Sequence, residues 1–257
     1  MHPYIISASR REDIPAFRSE FLIKGLERGY IDMFNFYSNS SYKIYFDKVK
    51  LAVFWSKNPR PLMKYLDELP FKYYFQFTLN DYPEYEHNVP PLDERIQTFI
   101  DLSNKIGKKK VIWRYDPLII DYQISEDDLM NRIKNIGDQL YKYTEKLVFS
   151  YVDPYKKLGN EFKEIPDNIK ISVANKLIEL NKNWGLKLGT CAEKINLEGI
   201  SHNKCIDPEL IMEICGKQRW ITDTKDKNQR TECGCSKSTD VGSFKCCKHK
   251  CLYCYAQ

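Results

Sequence analysis

The 257-residue chain carries 40 Lys and Arg against 35 Asp and Glu, a net charge of +5, with 42% hydrophobic and 29% charged residues. That composition excludes a disordered chain, and so small a positive charge lends only weak support to nucleic-acid binding. No run reaches the ~18 apolar residues of a membrane span, and the first residues lack a secretion-signal pattern. The expected setting is therefore cytoplasmic, without a membrane partner, where nine cysteines call for an explanation other than disulfides.

Residues 4–8 read as a first buried strand, and β-branched and aromatic strand patterns recur at 31–34, 51–55, 73–79, 111–115, 147–152 and 187–191. Helical spacing fills several gaps. Leu92, Ile96, Phe99 and Ile106 share one face, as do Leu129, Ile133, Ile136 and Leu140, which a Ser125/Asp128 capping box opens. Val173, Leu177, Leu180 and Trp184 make a third face, closed by Gly185 where a left-handed residue is expected. Alternating strands and helices imply parallel strands with crossover helices. The pattern predicts an α/β, TIM-like barrel, complete or slightly open, over residues 1–220. Residues 221–257 are polar, lack either periodicity and hold six of the nine cysteines. A metal centre is the usual substitute for a core in such a tail, which is expected to pack on the barrel mouth.

Several strands end alike, in Ser9-Arg10-Arg11, Trp55-Ser56-Lys57-Asn58-Pro59, Arg114-Tyr115-Asp116-Pro117 and Ser150-Tyr151-Val152-Asp153-Pro154. Turn chemistry accounts for the Asx-Pro pairs. It leaves open why charged and aromatic residues gather at the end where such barrels hold active sites. Arg10, Arg11, Lys57, Arg114 and Asp116 either line a ligand pocket there or form rim salt bridges. On the pocket reading, Arg10, Lys57, Arg114 and Asp116 are candidate catalytic groups. The basic side chains suit a carboxylate or phosphate and the aromatic ones a flat, nucleotide-like ring, so a small-molecule or nucleotide-like substrate is expected.

The sharpest signal is Cys247-x3-Cys251-x2-Cys254. Three close thiolates satisfy three irons of a four-iron [4Fe-4S] cube and leave the fourth open, as a catalytic metal requires. Cys191, Cys205, Cys233 and Cys235 supply four more thiols, the number for a closed auxiliary cluster. Cys246 is an alternative to Cys247, and Cys215, in a helical pattern, suits a small buried hydrophobe. A competing assignment makes Cys233, Cys235, Cys251 and Cys254 a zinc knuckle stapling the tail of a binding protein.

The triplet, with Tyr253 directly before its last cysteine, resembles the cluster loop of the radical S-adenosylmethionine (SAM) superfamily. The closing Cys254-Tyr255-Ala256 is similar to spore photoproduct lyase-like enzymes. The resemblance implies SAM on the open iron, its cleavage to a 5′-deoxyadenosyl radical, and an electron donor such as ferredoxin or flavodoxin. Here, however, the loop follows the last strand instead of the first, and no Gly-Gly-Glu segment is present. A non-radical iron–sulfur protein, transferring electrons or acting as a Lewis acid, is the alternative. Over nearly its whole length the chain also resembles the family called domain of unknown function 1848. The shared motifs are Ser9-Arg10-Arg11-Glu12-Asp13, Phe54-Trp55-Ser56-Lys57, Phe75-Gln76-Phe77, Trp113-Arg114-Tyr115-Asp116, Cys191-Ala192-Glu193, Cys233-Gly234-Cys235 and Cys251-Leu252-Tyr253-Cys254. Within these motifs Arg11, Trp55 and Gln76 are expected to bind the cofactor. Where the family usually has His-Gly this chain has His249-Lys250, which puts a tight left-handed turn there in doubt.

Overall fold

The computed structural model describes residues 1–35, 39–155 and 162–256. In chain order the elements are β1 (Ile5–Ala8), α1 (Ile14–Phe17), α2 (Ser19–Arg28), β2 (Tyr30–Asn35), β3 (Ser40–Tyr45), β4 (Leu51–Ser56), α3 (Arg60–Met63), β5 (Lys72–Thr78) and α4 (Leu92–Ile106). There follow β6 (Val111–Leu118), α5 (Glu126–Leu140), β7 (Lys146–Tyr151), α6 (Asp167–Asn181), β8 (Lys187–Thr190), β9 (Ser201–His202), α7 (Pro208–Cys215) and β10 (Thr239–Asp240). Eight strands form one parallel sheet in the order β10-β1-β4-β5-β6-β7-β8-β9.

One expectation changes and another is narrowed. The segment at 31–34 is a strand, but it pairs antiparallel with β3 in a separate hairpin instead of joining the sheet. Its alternation explains why: Ile31, Met33 and Ile44 are buried on one side while Asp32 and Phe34 face out, whereas the central strands are buried on both faces. Nor is a complete barrel seen. Among the described residues the edge strands β9 and β10, two residues each, do not pair with one another. A closed barrel fills its interior with its own side chains. Here Cys205, Ile206, Ile211, Cys233 and Cys235 from the later chain occupy one face of the sheet, against Ile5, Leu51, Val53, Tyr74, Ile112 and Val148.

The opposite face, including Ile6, Ala8, Phe54, Phe75, Phe77, Trp113 and Phe149, packs in the main core with Leu22, Phe99, Ile133, Ile136, Val173 and Leu177 of the helices. Burial on both faces is why the strands read as nearly continuous apolar runs. The capping box opening α5 is present, with Asp128 N donating to Ser125 Oγ at 3.1 Å and Ser125 N donating to Asp128 Oδ2 at 3.2 Å. Gly185 is left-handed as expected, φ +67°. The turn it makes lays Trp184 on α5 at Gly137, where a Cβ would fall 2.2 Å from the indole ring. The tail returns to the start of the chain: β10 lies beside β1, with Ile6 opposite Thr239 and Ser7 opposite Asp240. No helix among the described residues is long and apolar enough to cross a membrane.

Candidate functional site

All eight strands of the sheet are parallel, so their carboxyl ends share one edge, where loops carry the functional candidates together. A cavity of about 510 Å³ lies there. Seven of the nine cysteines line it, namely Cys191, Cys205, Cys233, Cys235, Cys247, Cys251 and Cys254. Arg10, Arg11, Trp55, Lys57, Arg114 and Asp116 line it too. Cys247, not its exposed neighbour Cys246, faces the cavity. Cys215 ends α7, half-buried at the margin of the inner apolar cluster.

The four-cysteine set is built on the inner face of β5 and β6. Tyr74 Oη donates to the Cys205 carbonyl at 2.6 Å, and Gln76 Nε2 donates to the same oxygen at 3.0 Å. Gln76 is 2% exposed and does not line the cavity; it positions Cys205 and accepts from Arg114 Nη1 at 3.3 Å. The thiols of Cys191 and Cys205 stand 3.6 Å apart. N–H groups converge on sulfur: Arg114 Nη1 reaches Cys205 Sγ at 2.9 Å, Asn203 Nδ2 the same sulfur at 3.4 Å, and the backbone N–H groups of Cys205 and Ile206 reach Cys235 Sγ at 3.1 and 3.4 Å. A hydrogen bond from the Cys235 side chain lowers the Cys233 thiol to about 7 against the opposing effect of burial. The Cys205 contact, reinforced by burial, pushes Cys191 well up.

The terminal triplet is seated by alternate tail residues. His249, Cys251 and Tyr253 point inward, and Lys248, Lys250 and Leu252 are exposed. The turn is left-handed despite the lysine, φ +49° at Lys250, which corrects the expectation from sequence. His249 sits between Asp13 Oδ2, 2.9 Å, and Asn88 O, 3.2 Å, with its ring edge against Phe17. Leu252 N donates to Tyr85 O at 3.0 Å. The Tyr253 hydroxyl donates to Glu86 and accepts from Lys57 Nζ at 2.9 Å and Asn80 Nδ2 at 3.1 Å. Burial pushes the Cys251 thiol up to about 12, against the pull of Lys57.

The charged candidates divide between these two sets. Arg114, 3% exposed, also pairs with Asp116. Burial raises the Asp116 carboxyl, but Arg114 and the Ser150 hydroxyl override it and hold the group below its usual range. Lys57 is committed to Glu86 at 2.7 Å. Arg10 stacks on Trp55, 4.8 Å from the ring centroid, and Arg11 lies over Phe244 at 4.9 Å. Lys57, Arg114 and Asp116 therefore line the cavity and form ion pairs at the same time, whereas Arg10 and Arg11 line it with aromatic partners.

Four residues that organise the site carried no separate signal. Asp13 accepts from Ser56 Oγ at 2.7 Å and Lys57 N at 2.7 Å, and it also binds His249 and caps α1. Asp240 accepts from Ser7 Oγ, Ser9 Oγ, Arg10 N and Gly242 N. Glu86 and Asn80 hold Tyr253. The partners of Asp13 and Asp240 lie up to 236 positions away, beyond any local pattern.

Among the described residues no group of three or more His, Cys, Asp and Glu side chains is gathered tightly enough to hold a metal ion as it stands. The donor chemistry nevertheless fits a thiolate-bound metal. A neutral thiol is a weak acceptor, yet a buried guanidinium and three other N–H groups aim at two sulfurs. Soft sulfur donors select zinc or iron–sulfur clusters over magnesium or calcium.

No curated protein matches the chain. The family described as Domain of unknown function (DUF1848) matches residues 5–256. That match spans both cysteine sets and every strand of the sheet, and the chain belongs to this family.

Proposed function

We propose that this protein is an iron–sulfur enzyme of radical SAM-like type, with Cys247, Cys251 and Cys254 holding an open four-iron cluster. In this reading Cys191, Cys205, Cys233 and Cys235 hold an auxiliary cluster. The supporting observation is that seven cysteines from four separate chain segments line one cavity at the carboxyl edge of a parallel sheet. An open iron there supplies a binding position for SAM and the electron that cleaves it.

The chain's own residues provide the rest. Trp55, Tyr155 and Tyr255 give the cavity flat apolar walls, and Arg11 and Lys250 bring positive charge to it. A volume of about 510 Å³ suits a small organic ligand. Asp116, half-buried against Arg114 and Ser150, is placed to accept a hydrogen bond from a substrate hydroxyl or amine. Lys245, Lys248 and Lys250 are exposed around the triplet, and residues 241–256 contain no Asp or Glu. Such a face complements an acidic electron carrier.

One observation favours a second reading for the auxiliary set. Zinc–sulfur bonds of ~2.3 Å place tetrahedral thiolates ~3.8 Å apart, close to the 3.6 Å between Cys191 and Cys205. Anaerobic purification with iron, sulfide and zinc analysis, followed by electron paramagnetic resonance with and without SAM, tests both. Two clusters give about eight irons per chain, and one cluster with zinc about four irons and one zinc. Negligible iron, or loaded and reduced protein that neither changes its spectrum with SAM nor yields 5′-deoxyadenosine, ends the radical SAM reading.

A further inference from the structure

Burying a guanidinium is costly unless a negative group answers it, and two guanidinium groups converge on the four-cysteine set. Arg114 divides its donors among Cys205 Sγ, Gln76 and Asp116. Among the described residues Arg10 Nη1 bonds to two hydroxyls, Ser7 at 3.4 Å and Ser238 at 3.3 Å. Its Nη2 is buried with no hydrogen-bond partner among the described residues. Arg10 lines the same cavity as Cys191, Cys205, Cys233 and Cys235, and the burial that works against its charge is offset by groups that include Cys235, Asp240, Cys205 and Cys233. Asp240 already accepts four hydrogen bonds from Ser7, Ser9, Gly242 and the Arg10 backbone. The remaining groups are the thiols. Four thiolates around zinc or an oxidised four-iron cube make a dianion in either case.

We propose that Arg10 and Arg114 are positioning residues for the four-cysteine centre, Arg10 compensating its negative charge and Arg114 fixing Cys205 Sγ by a directed N–H bond. This rests on the reading that metal binds at those four cysteines. It also turns both arginines away from the substrate and leaves the ligand's anionic groups to Arg11 and Lys250. Arg10 acts on the centre through its charge, which lysine keeps while losing the stacking on Trp55. Arg114 works through the fork of its guanidinium, which holds sulfur, amide and carboxylate together, so lysine does not replace it.

The test uses full-length protein carrying Cys251→Ala and Cys254→Ala, which isolates the four-cysteine centre. Metal affinity is measured by competition with a chromophoric chelator, using zinc alone in one arm and reconstituted iron and sulfide in the other. Arg10→Met is expected to weaken retention about tenfold and Arg10→Lys less than about threefold, whereas Arg114→Lys weakens it about tenfold. In the iron arm Arg10→Met also lowers the midpoint potential, and a tenfold change corresponds to about 59 mV for one electron. A purely structural role for Arg10 predicts Lys and Met equally damaging and no directed shift in potential. Retention within twofold of the parent for Arg10→Met, or Lys no better than Met, overturns the role of Arg10. Retention within twofold for Arg114→Lys overturns that of Arg114. A parent that binds metal while the arginine changes are silent sinks this inference alone. A parent that holds neither zinc nor iron sinks the four-cysteine centre and this inference with it.

Discussion

Replacing Glu86 with Ala is expected to cost about 3–5 kcal/mol, the loss from removing one partner of a buried charge network. The Glu86 side chain is 1% exposed and its carboxylate accepts from Lys57 Nζ at 2.7 Å, Asn80 Nδ2 at 3.0 Å, Arg95 Nη1 at 3.5 Å and the Tyr253 hydroxyl. Without it Arg95 keeps two carbonyl acceptors, Pro90 O and Asn80 O. Lys57 Nζ, on a side chain 13% exposed, retains only the Tyr253 hydroxyl among its described hydrogen-bond partners. Most of the penalty therefore falls on Lys57. Against a typical total stability of about 5–15 kcal/mol this is a large fraction, and it corresponds to roughly 10 °C in Tm for a chain of this size. Urea unfolding of the anaerobic protein measures the loss directly. The double change Glu86→Leu with Lys57→Met removes both charges, so it should recover at least about 1 kcal/mol relative to Glu86→Ala. Tyr253 holds the tail through the same carboxylate, so limited proteolysis should cut Glu86→Ala after residue 240 sooner than the parent. A loss below about 1 kcal/mol for Glu86→Ala, or a double change worse than the single, would refute the account of a buried pair.

Three further outcomes follow from local geometry. Gly137→Ala gains helix propensity of about 1 kcal/mol but drives a methyl into Trp184, and overpacking of about 1–3 kcal/mol is expected to win; a more stable variant by thermal melting would show that the indole moves freely. Lys250→Gly relieves a left-handed backbone at an exposed side chain and should raise stability by about 1 kcal/mol, an expectation contradicted by any measured decrease. The bidentate hydrogen bond from Arg132, Nη2 to Oε1 at 2.5 Å and Nη1 to Oε2 at 3.0 Å, holds Glu84 below its ordinary 4.5. The unfolded chain then binds the extra proton first as pH falls, so the pair's contribution of about 1 kcal/mol is complete above 4.5 and vanishes below the folded value. Glu84→Gln should thus be destabilised at pH 7 and indistinguishable from the parent near pH 2 by urea midpoint; an equal gap at both pH values would contradict this.

Local pattern determined much of this protein. Six of the seven expected strands fall in the parallel sheet, because residues buried on both faces leave uninterrupted apolar runs such as 51–55 and 111–115. Helix faces and the Ser125 cap follow from spacings of three and four residues, which a helix converts directly into neighbours. The seven cysteines and the strand-end residues Arg10, Arg11, Lys57, Arg114 and Asp116 were legible from residue type and position, and all of them reach one cavity. Only the tertiary structure decided what those residues do to one another. It set the hairpin at 31–34 apart from the sheet, left β9 and β10 unpaired with each other among the described residues, and laid Cys205, Ile206, Ile211, Cys233 and Cys235 on its inner face. It committed Lys57 to Glu86 and Tyr253, turned Arg114 onto Cys205, and joined Asp13 to His249 and Asp240 to Arg10, tying the tail to the start of the chain across more than 200 residues. The physical reason is range. Periodicity encodes which side of an element is buried, but a carboxylate's partner is selected by whatever the fold brings within hydrogen-bond distance, and no local spacing carries that information.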